Sequence, residues 1–215
     1  MMSASDRMDR MYRYQRHVYD LTRRPYLLGR IELIENLSLS PGATALEIGC
    51  GTAWNLTRAA QQFRDARLYG FDISPEMLKT AQYNVDAAGC SKSVRLAIGN
   101  ATTFNSQDLF GVSAFDRIFM SYTLSMIPEW SRVIWRAFEH VAPRGEIHIV
   151  DFGDFGELPA FARNGMRAWL ERFDVTPPGT LEQELRRQNQ NRGWKIDFSR
   201  PYRAYSQYAV ISRPE

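Results

Sequence analysis

The run Ala45-Leu46-Glu47-Ile48-Gly49-Cys50-Gly51 carries a stretch of β-type residues into two glycines one residue apart, and a helical pattern follows. Glycines there let the backbone bend sharply and approach a ligand with no Cβ in the way. The loop has neither the Lys nor the Ser/Thr of a phosphate-binding P-loop, which disfavours nucleoside triphosphate hydrolysis. Asn55 and Leu56 stand where a third glycine would help seat a pyrophosphate. Asp72 closes the next apolar run, 21 residues beyond Gly51. An acidic residue at such a spacing can accept both hydrogen bonds of a ribose diol, and its plainer role is to cap the helix that Pro75 opens. Asn100, in Gly99-Asn100-Ala101-Thr102, follows a third run. Its amide, or the Ala101 N–H, could reach an adenine edge or simply cap a turn. Ser121 and Tyr122 end a fourth run and would line the floor between cofactor and substrate.

These residues need a scaffold that brings strand ends together. Thr44–Ile48, Leu68–Phe71, Val94–Ile98, Phe115–Met120 and Glu146–Asp151 read as strands. Leu56–Phe63, Pro75–Ala88 and Trp130–Val141 read as helices between them, the last stopped by Pro143 and Gly145. Such alternation implies right-handed crossovers and a mostly parallel sheet, with ligands beyond the carboxyl ends of the strands. The last third differs: Pro159–Phe173 and Leu181–Asn189 read as helices, Trp194–Ser199 and Tyr205–Ser212 as strands, the final one an antiparallel edge. No repeat or linker divides the 215 residues, so one α/β domain is expected, with a helical segment 1–40, a core 44–151 and a substrate-side part 152–215.

Composition narrows the function classes. Apolar residues make up 44% and charged ones 24%, which argues against disorder. No apolar run is long enough to span a bilayer, and the N-terminus lacks a secretory core, so a cytoplasmic location is expected. Two cysteines suit neither a disulfide framework nor a cysteine zinc site, and His17, His140 and His148 form no metal or catalytic set; no metal is expected. The net charge is +3, and residues 1–30 hold seven arginines against three aspartates. That excess fits either an anionic partner, such as lipid headgroups, or a solvated helix face. Nucleic acid is disfavoured, for want of a base-methylation motif or an RNA-binding appendage.

The ordered stretches ALEIGCGTA, FDIS with PEML, GNAT, FDRIFMSYTL and VAPRGEIHIVDF resemble the motifs of class I S-adenosylmethionine-dependent methyltransferases. The resemblance implies a Rossmann-like, seven-stranded sheet of order 3-2-1-4-5-7-6, with strand seven antiparallel and helices on both faces. It implies S-adenosyl-L-methionine as cofactor and S-adenosyl-L-homocysteine as product. Glu47, Gly49, Cys50 and Gly51 would surround the methionine moiety. Asp72 and Ile73 would meet ribose and adenine, with Met77 nearby, Asn100 and Ala101 at the adenine, and Ser121 and Tyr122 beside the sulfonium. Ala53 departs from a commoner glycine, and Asn100 from a commoner aspartate.

The segment YRYQRHVYDLTRRPYLLGR resembles the opening of diacylglycerylhomoserine N-methyltransferases, which make a trimethylated betaine lipid, and less closely bacterial phosphatidylethanolamine N-methyltransferases. That implies an amine-bearing glycerolipid substrate and places Tyr14, Tyr19 and Arg23 near the methionine end or the acceptor. As a helix the longer stretch from Met8 would put Met8, Met11, Tyr12, Gln15, Val18 and Tyr19 on one face, covering the cleft, with its arginines toward an anionic inner-membrane surface. Tyr14, Tyr19, Tyr122 and Asp151 are the candidates for orienting the amine. Aromatic faces suit a methylated cation, and Trp130 and Tyr202 join the tyrosines as candidates. Arg24 and Arg30, with Arg23, could meet a homoserine carboxylate. The stretch Phe152–Leu170 could form an apolar lid over an acyl chain or a core-facing helix. A small soluble amine as acceptor and a non-catalytic cofactor-binding regulatory subunit are the other readings. The oligomeric state is not legible.

Overall fold

The computed structural model describes residues 27–215. The expectations for Tyr14, Tyr19, Arg23, Arg24 and the arginine-bearing face lie outside the described residues. The described strands are β1 (Thr44–Ile48), β2 (Arg67–Asp72), β3 (Val94–Ile98), β4 (Phe115–Ser121), β5 (Val141–Phe152), β6 (Lys195–Ser199) and β7 (Ser206–Ser212). They form one sheet in the order β3-β2-β1-β4-β5-β7-β6. β1 to β5 run parallel, and β7 runs antiparallel to both β5 and β6. This is the α/β, class I, Rossmann-like sheet that the motifs imply. All five residues of β1 are buried, as a central parallel strand covered on both faces requires.

Alternation along the strands sorts the core into two layers. Ala45 and Phe119 face helices α1 (Arg30–Asn36), α2 (Trp54–Gln62) and α3 (Pro75–Ala87) through Leu33, Ile34, Leu56, Ala59, Ala81 and Val85. Leu46, Ile48 and Ile118 face α4 (Ser106–Phe110), α5 (Trp130–His140) and α7 (Leu181–Asn189) through Val133, Ala137, Leu181 and Leu185. Helix α6 (Ala160–Glu171) joins the first layer by Leu170. The entry to α3 follows helix chemistry closely: the Ser74 hydroxyl accepts from the Met77 N–H at 3.3 Å, and Pro75 takes the first turn.

Three local readings need correction. Helix α5 ends at His140 and β5 begins at once, because Val141 pairs with Phe115. Pro143 and Gly145 do not stop a helix; they lie in a bulge, where two steps along β4 from Phe115 to Arg117 oppose five along β5 from Val141 to Glu146. The final strand β7 is internal, and β6 forms the edge, its exposed positions held by Lys195, Asp197 and Ser199. Between these strands Tyr202, Arg203 and Ala204 take left-handed φ values of 58°, 57° and 56°. Hydrogen bonds from the Phe155 N–H to Ala204 O and from the Gly153 N–H to Tyr205 O pin that turn beside the end of β5. Sequence patterning has no signal for such a turn, since none of the three is glycine.

Gly70 lies mid-strand in β2, where a methyl group would strike Leu56 Cδ1 and stand 3.0 Å from Cys50 Cβ. Neither neighbour can retreat without moving α2 or the glycine bend. Gly70→Ala is expected to destabilise the fold by about 1–3 kcal/mol, read as a lower midpoint in urea unfolding.

Candidate active site

The strand order reverses between β1 and β4, and the carboxyl ends of β1, β2 and β4 open a crevice there. Gly49 turns the chain with φ +70°, and its N–H and that of Cys50 both donate to Phe71 O at 3.0 Å. A side chain at Gly49 would collide with Thr123, so the bend and the loop after β4 are interlocked. Gly51 also has positive φ, but a Cβ there would meet nothing within 4 Å. Its N–H donates to Asp72 Oδ2 at 2.9 Å, and Asp72 Oδ1 accepts from the Ser74 N–H at 3.0 Å. These two backbone bonds fix the Asp72 carboxylate in place at the strand end. It thus serves both readings, closing the turn and standing at the crevice.

Glu47 is the most demanding group. It is 1% exposed, and Asn55 Nδ2 donates to its Oε1 at 2.5 Å. Arg30 Nε donates to Asn55 Oδ1 at 3.1 Å, and its guanidinium lies 4.4 Å from the centre of the Trp54 ring. Burial raises the Glu47 carboxyl to about pH 8, against the pull of Asn55 and Arg30 and with a push from Asp72. Glu47 Oε2 and Ser121 Oγ, at the ends of β1 and β4, are buried without a hydrogen-bond partner among the described residues. Buried polar atoms are seldom left so, and such atoms call for an explanation such as a ligand or a water. A ligand with a cationic amine fits the first. Burial also pushes the Cys50 thiol well above its usual range, so at this bend it is a small apolar wall rather than a nucleophile.

The residues expected at the adenine are brought to the same rim. Ile73 and Asp72 are half-buried and Met77 buried, at the β2–α3 junction. Asn100 Oδ1 accepts from the Thr102 N–H and hydroxyl, both at 2.9 Å, which closes a turn and leaves the amide NH₂ as its outward group. Ala101 is buried behind it. An aspartate here could only accept, whereas Asn100 presents donors.

The acceptor-side candidates separate. Tyr122 is buried with φ 55°, and its hydroxyl donates to Leu28 O at 2.6 Å while lying 2.8 Å from Ser206 Oγ. Burial holds the phenol well above its ordinary value, so Tyr122 keeps its proton. Asp151 is fully buried: Oδ2 accepts from the Ser125 N–H at 3.1 Å and Oδ1 from the Phe152 N–H at 2.7 Å. Desolvation raises it to about pH 6. It ties the Leu124–Met126 turn to the end of β5. Tyr202 is 41% exposed and bonds Glu32, with its ring near Gly29. Trp130 packs at the start of α5 in the layer opposite to Tyr122, apart from the other candidates. Arg30 donates to Asn55 and lies over Trp54 at the cofactor-side wall. Phe152 and Phe155 are core residues, ringed with Tyr122 and Tyr205 at centroid distances from 4.6 to 6.3 Å, and Phe161 points outward. Sequence reasoning passed over Asn55 as a cofactor-side group; its signal was an amide in the first turn after the glycine bend.

Among the described residues no three His, Cys, Asp or Glu side chains are placed to hold a metal ion, and no helix is long and apolar enough to cross a membrane. Residues 45–145 match the model of a family described as a methyltransferase domain. That stretch is therefore similar to a methyltransferase domain, and the sheet has the class I methyltransferase fold. Among curated proteins the chain is similar to the demethylmenaquinone methyltransferase of Bacillus mycoides strain KBAB4, 30% identical over 119 residues, covering 55% of this chain and 48% of that one. The enzyme of the same name from Geobacillus stearothermophilus is 28% identical over 141 residues, covering 65% and 54%. The chain spans about half the length of these curated relatives. Phosphoethanolamine N-methyltransferase 2 of Haemonchus contortus, solved with phosphomonomethylethanolamine and S-adenosylhomocysteine, shares the fold. Its TM-score is 0.76 at 15% identity, over 100% of this chain and 61% of that one. An O-methyltransferase family protein from Burkholderia thailandensis gives 0.72 at 14%, over 99% and 64%.

Because the folded state holds the Glu47 proton up to about pH 8 and the unfolded chain releases it near 4.5, native protein binds more protons in between. Stability from this group therefore falls as pH rises through that window and levels above it. Glu47→Gln is expected to remove that decline, gaining on wild type by a few kcal/mol toward about pH 8, as seen in thermal unfolding at stepped pH.

Proposed function

We propose that the protein uses S-adenosyl-L-methionine to methylate the amine of diacylglycerylhomoserine, in successive rounds that yield the trimethylated betaine lipid and S-adenosyl-L-homocysteine. The carrying observation is the pair of buried oxygens without a hydrogen-bond partner among the described residues, Glu47 Oε2 and Ser121 Oγ, on the adjacent strands β1 and β4 that lead to the glycine bend and to Tyr122. When bound, the donor supplies a methyl carbon made electrophilic by a sulfonium. Asp72 would accept the ribose hydroxyls, and Ile73, Met77, Asn100 and Ala101 would surround the adenine. Glu47, ionised opposite an ammonium, would hold the methionine end, with Asn55 and Arg30 keeping its carboxyl in one pose. Gly49, Cys50 and Gly51 keep that wall thin.

On the acceptor side the Tyr122, Phe152, Phe155 and Tyr205 rings offer a water-poor surface. Dry surroundings favour the neutral, attacking form of an amine, and aromatic faces suit the cation that accumulates. Tyr122 would orient the amine by position rather than take its proton, and Asp151 would hold the turn that frames it. Alignment of amine and methyl group supplies much of the acceleration in such a displacement. The lipid acceptor is supported by the segment similar to betaine-lipid methyltransferases, which enters the described structure at Leu27 and is held at Leu28 O by Tyr122 and Ser206. Tyr14, Tyr19, Arg23 and Arg24 remain candidates from that segment, and an anionic inner-membrane surface remains the proposed partner. A second reading, demethylmenaquinone as acceptor, is favoured by the names of the curated relatives.

Purified protein with methyl-labelled donor, offered diacylglycerylhomoserine, phosphatidylethanolamine, a soluble amine or demethylmenaquinone in detergent, is expected to label the homoserine lipid by mass analysis. Label in the quinone instead would transfer the assignment to the second reading, and donor binding with no label anywhere would leave a regulatory subunit. Asp72→Ala is expected to weaken donor binding by about 10–100-fold in titration calorimetry, the worth of a charged hydrogen-bond acceptor. Unchanged affinity would remove Asp72 from the ribose.

A further inference from the structure

Helix α6 presents two unlike sides. Leu170 is its buried residue, and Met166 and Phe173 pack beside it against the first core layer. At 3.6 residues per turn, Phe161, Gly165, Ala168 and Trp169 fall within about 100° of one another on the opposite side. All four are exposed, Phe161 by 82% and Trp169 by 37%. Trp169 stacks edge-on against Phe173 at 5.2 Å, which braces it at the surface. From Ala160 to Arg172 the ionisable residues are Arg163, Arg167 and Arg172 against Glu171. Asp154, Glu157 and Asp174 lie just outside the helix, and Arg167 donates to the Asp154 carbonyl at 3.1 Å, which leaves Arg172 as the cation on the exposed stripe.

The helix follows directly from the end of β5, the same end that carries Tyr122, Asp151 and the exposed Tyr202–Arg203 turn. Its 12 residues make a rod about 18 Å long and about 10 Å across, an outer face of about 180 Å². A stable protein–protein interface needs about 800 Å² on each side. An interfacial helix does not: apolar and Trp side chains at headgroup depth, flanked by arginines, suffice for reversible adsorption.

We propose that α6 is the face on which the protein rests on a lipid bilayer, with Phe161 and Trp169 entering the headgroup–acyl boundary and Arg172, on the same stripe, meeting a lipid phosphate. This would bring the acceptor end of the sheet to the membrane. It extends the reading of a lipid-borne acceptor without depending on it, since a quinone acceptor would be met in the same way. It also assigns membrane contact to an element other than the arginine-rich N-terminal segment.

Flotation with vesicles of phosphatidylcholine and phosphatidylglycerol, two to one, tests it on the full chain. Wild type is expected to float, and Phe161→Ser/Trp169→Ser to lose partitioning by about tenfold or more. Donor affinity by calorimetry and mass by light scattering are expected to stay unchanged. The chain has five tryptophans; brominated phosphatidylcholine should quench part of their emission, and Trp169→Phe should lose that part while still floating. Equal flotation of wild type and the double variant overturns the proposal, as does wild type that stays in the pellet. Quenching unaltered by Trp169→Phe, or a double variant that converts a dimer to a monomer, overturns it too. Methyl transfer in detergent reads the acceptor assignment separately, so one proposal can fail without the other.

Discussion

Keeping the Glu47 carboxyl out of water governs the layout of the crevice. A buried carboxylate is costly unless its oxygens are met, and β1 delivers Glu47 into the core because its neighbours Leu46 and Ile48 must face the second layer. Asn55, one turn into α2, satisfies one oxygen and is itself satisfied by Arg30 from α1. Three elements that share no sheet pairing are thereby coupled through one acidic group. The remaining oxygen is left to the crevice, so the site is completed by what enters it. This explains why the segment before α1 is also tied down: Leu28 O takes hydrogen bonds from Tyr122 and Ser206, which fixes where Arg30 begins.

Most of the scaffold was legible because apolar runs and helical periodicity alternate cleanly from Thr44 to Asp72 and again from Phe115. Periodicity reports which face is buried, and a parallel sheet with covered faces leaves few arrangements. The glycine bend and Asp72 were legible because backbone approach without a side chain demands glycine, and a strand-end carboxylate has few other uses. What escaped was set by tertiary context. Pro143 and Gly145 look like helix stops in isolation, yet the pairing of Val141 with Phe115 converts them into a bulge. The left-handed Tyr202–Ala204 turn carries no glycine to announce it; its shape is imposed by Gly153 and Phe155 hydrogen-bonding to its carbonyls. The partners of Arg30 were equally hidden, because a charge pattern does not report which amide or ring lies beside a cation.

Tyr122 and Asp151 show what a residue type leaves unsaid. In the structure both have architectural partners, the phenol at the Leu28 carbonyl and the carboxylate at two backbone N–H groups. Aromatic rings at 4.6 to 6.3 Å from one another and these backbone contacts make this end of the sheet apolar and fixed in geometry.

The two ends of this arrangement differ in rigidity for a physical reason. The cofactor wall is interlocked at every step: Gly49 against Thr123, Gly51 against Asp72, Cys50 against Gly70. A shift at one point would break hydrogen bonds at the next, so the donor meets a nearly fixed surface. Beyond Phe152 the chain instead runs past the Tyr202–Ala204 turn, which Gly153 and Phe155 pin, and into α6, which holds the sheet by Leu170 and its few apolar neighbours while its outer stripe remains exposed. Tight pairing around the glycine bend and sparser packing at α6 thus follow from where the central strands end and where the sheet's cover begins.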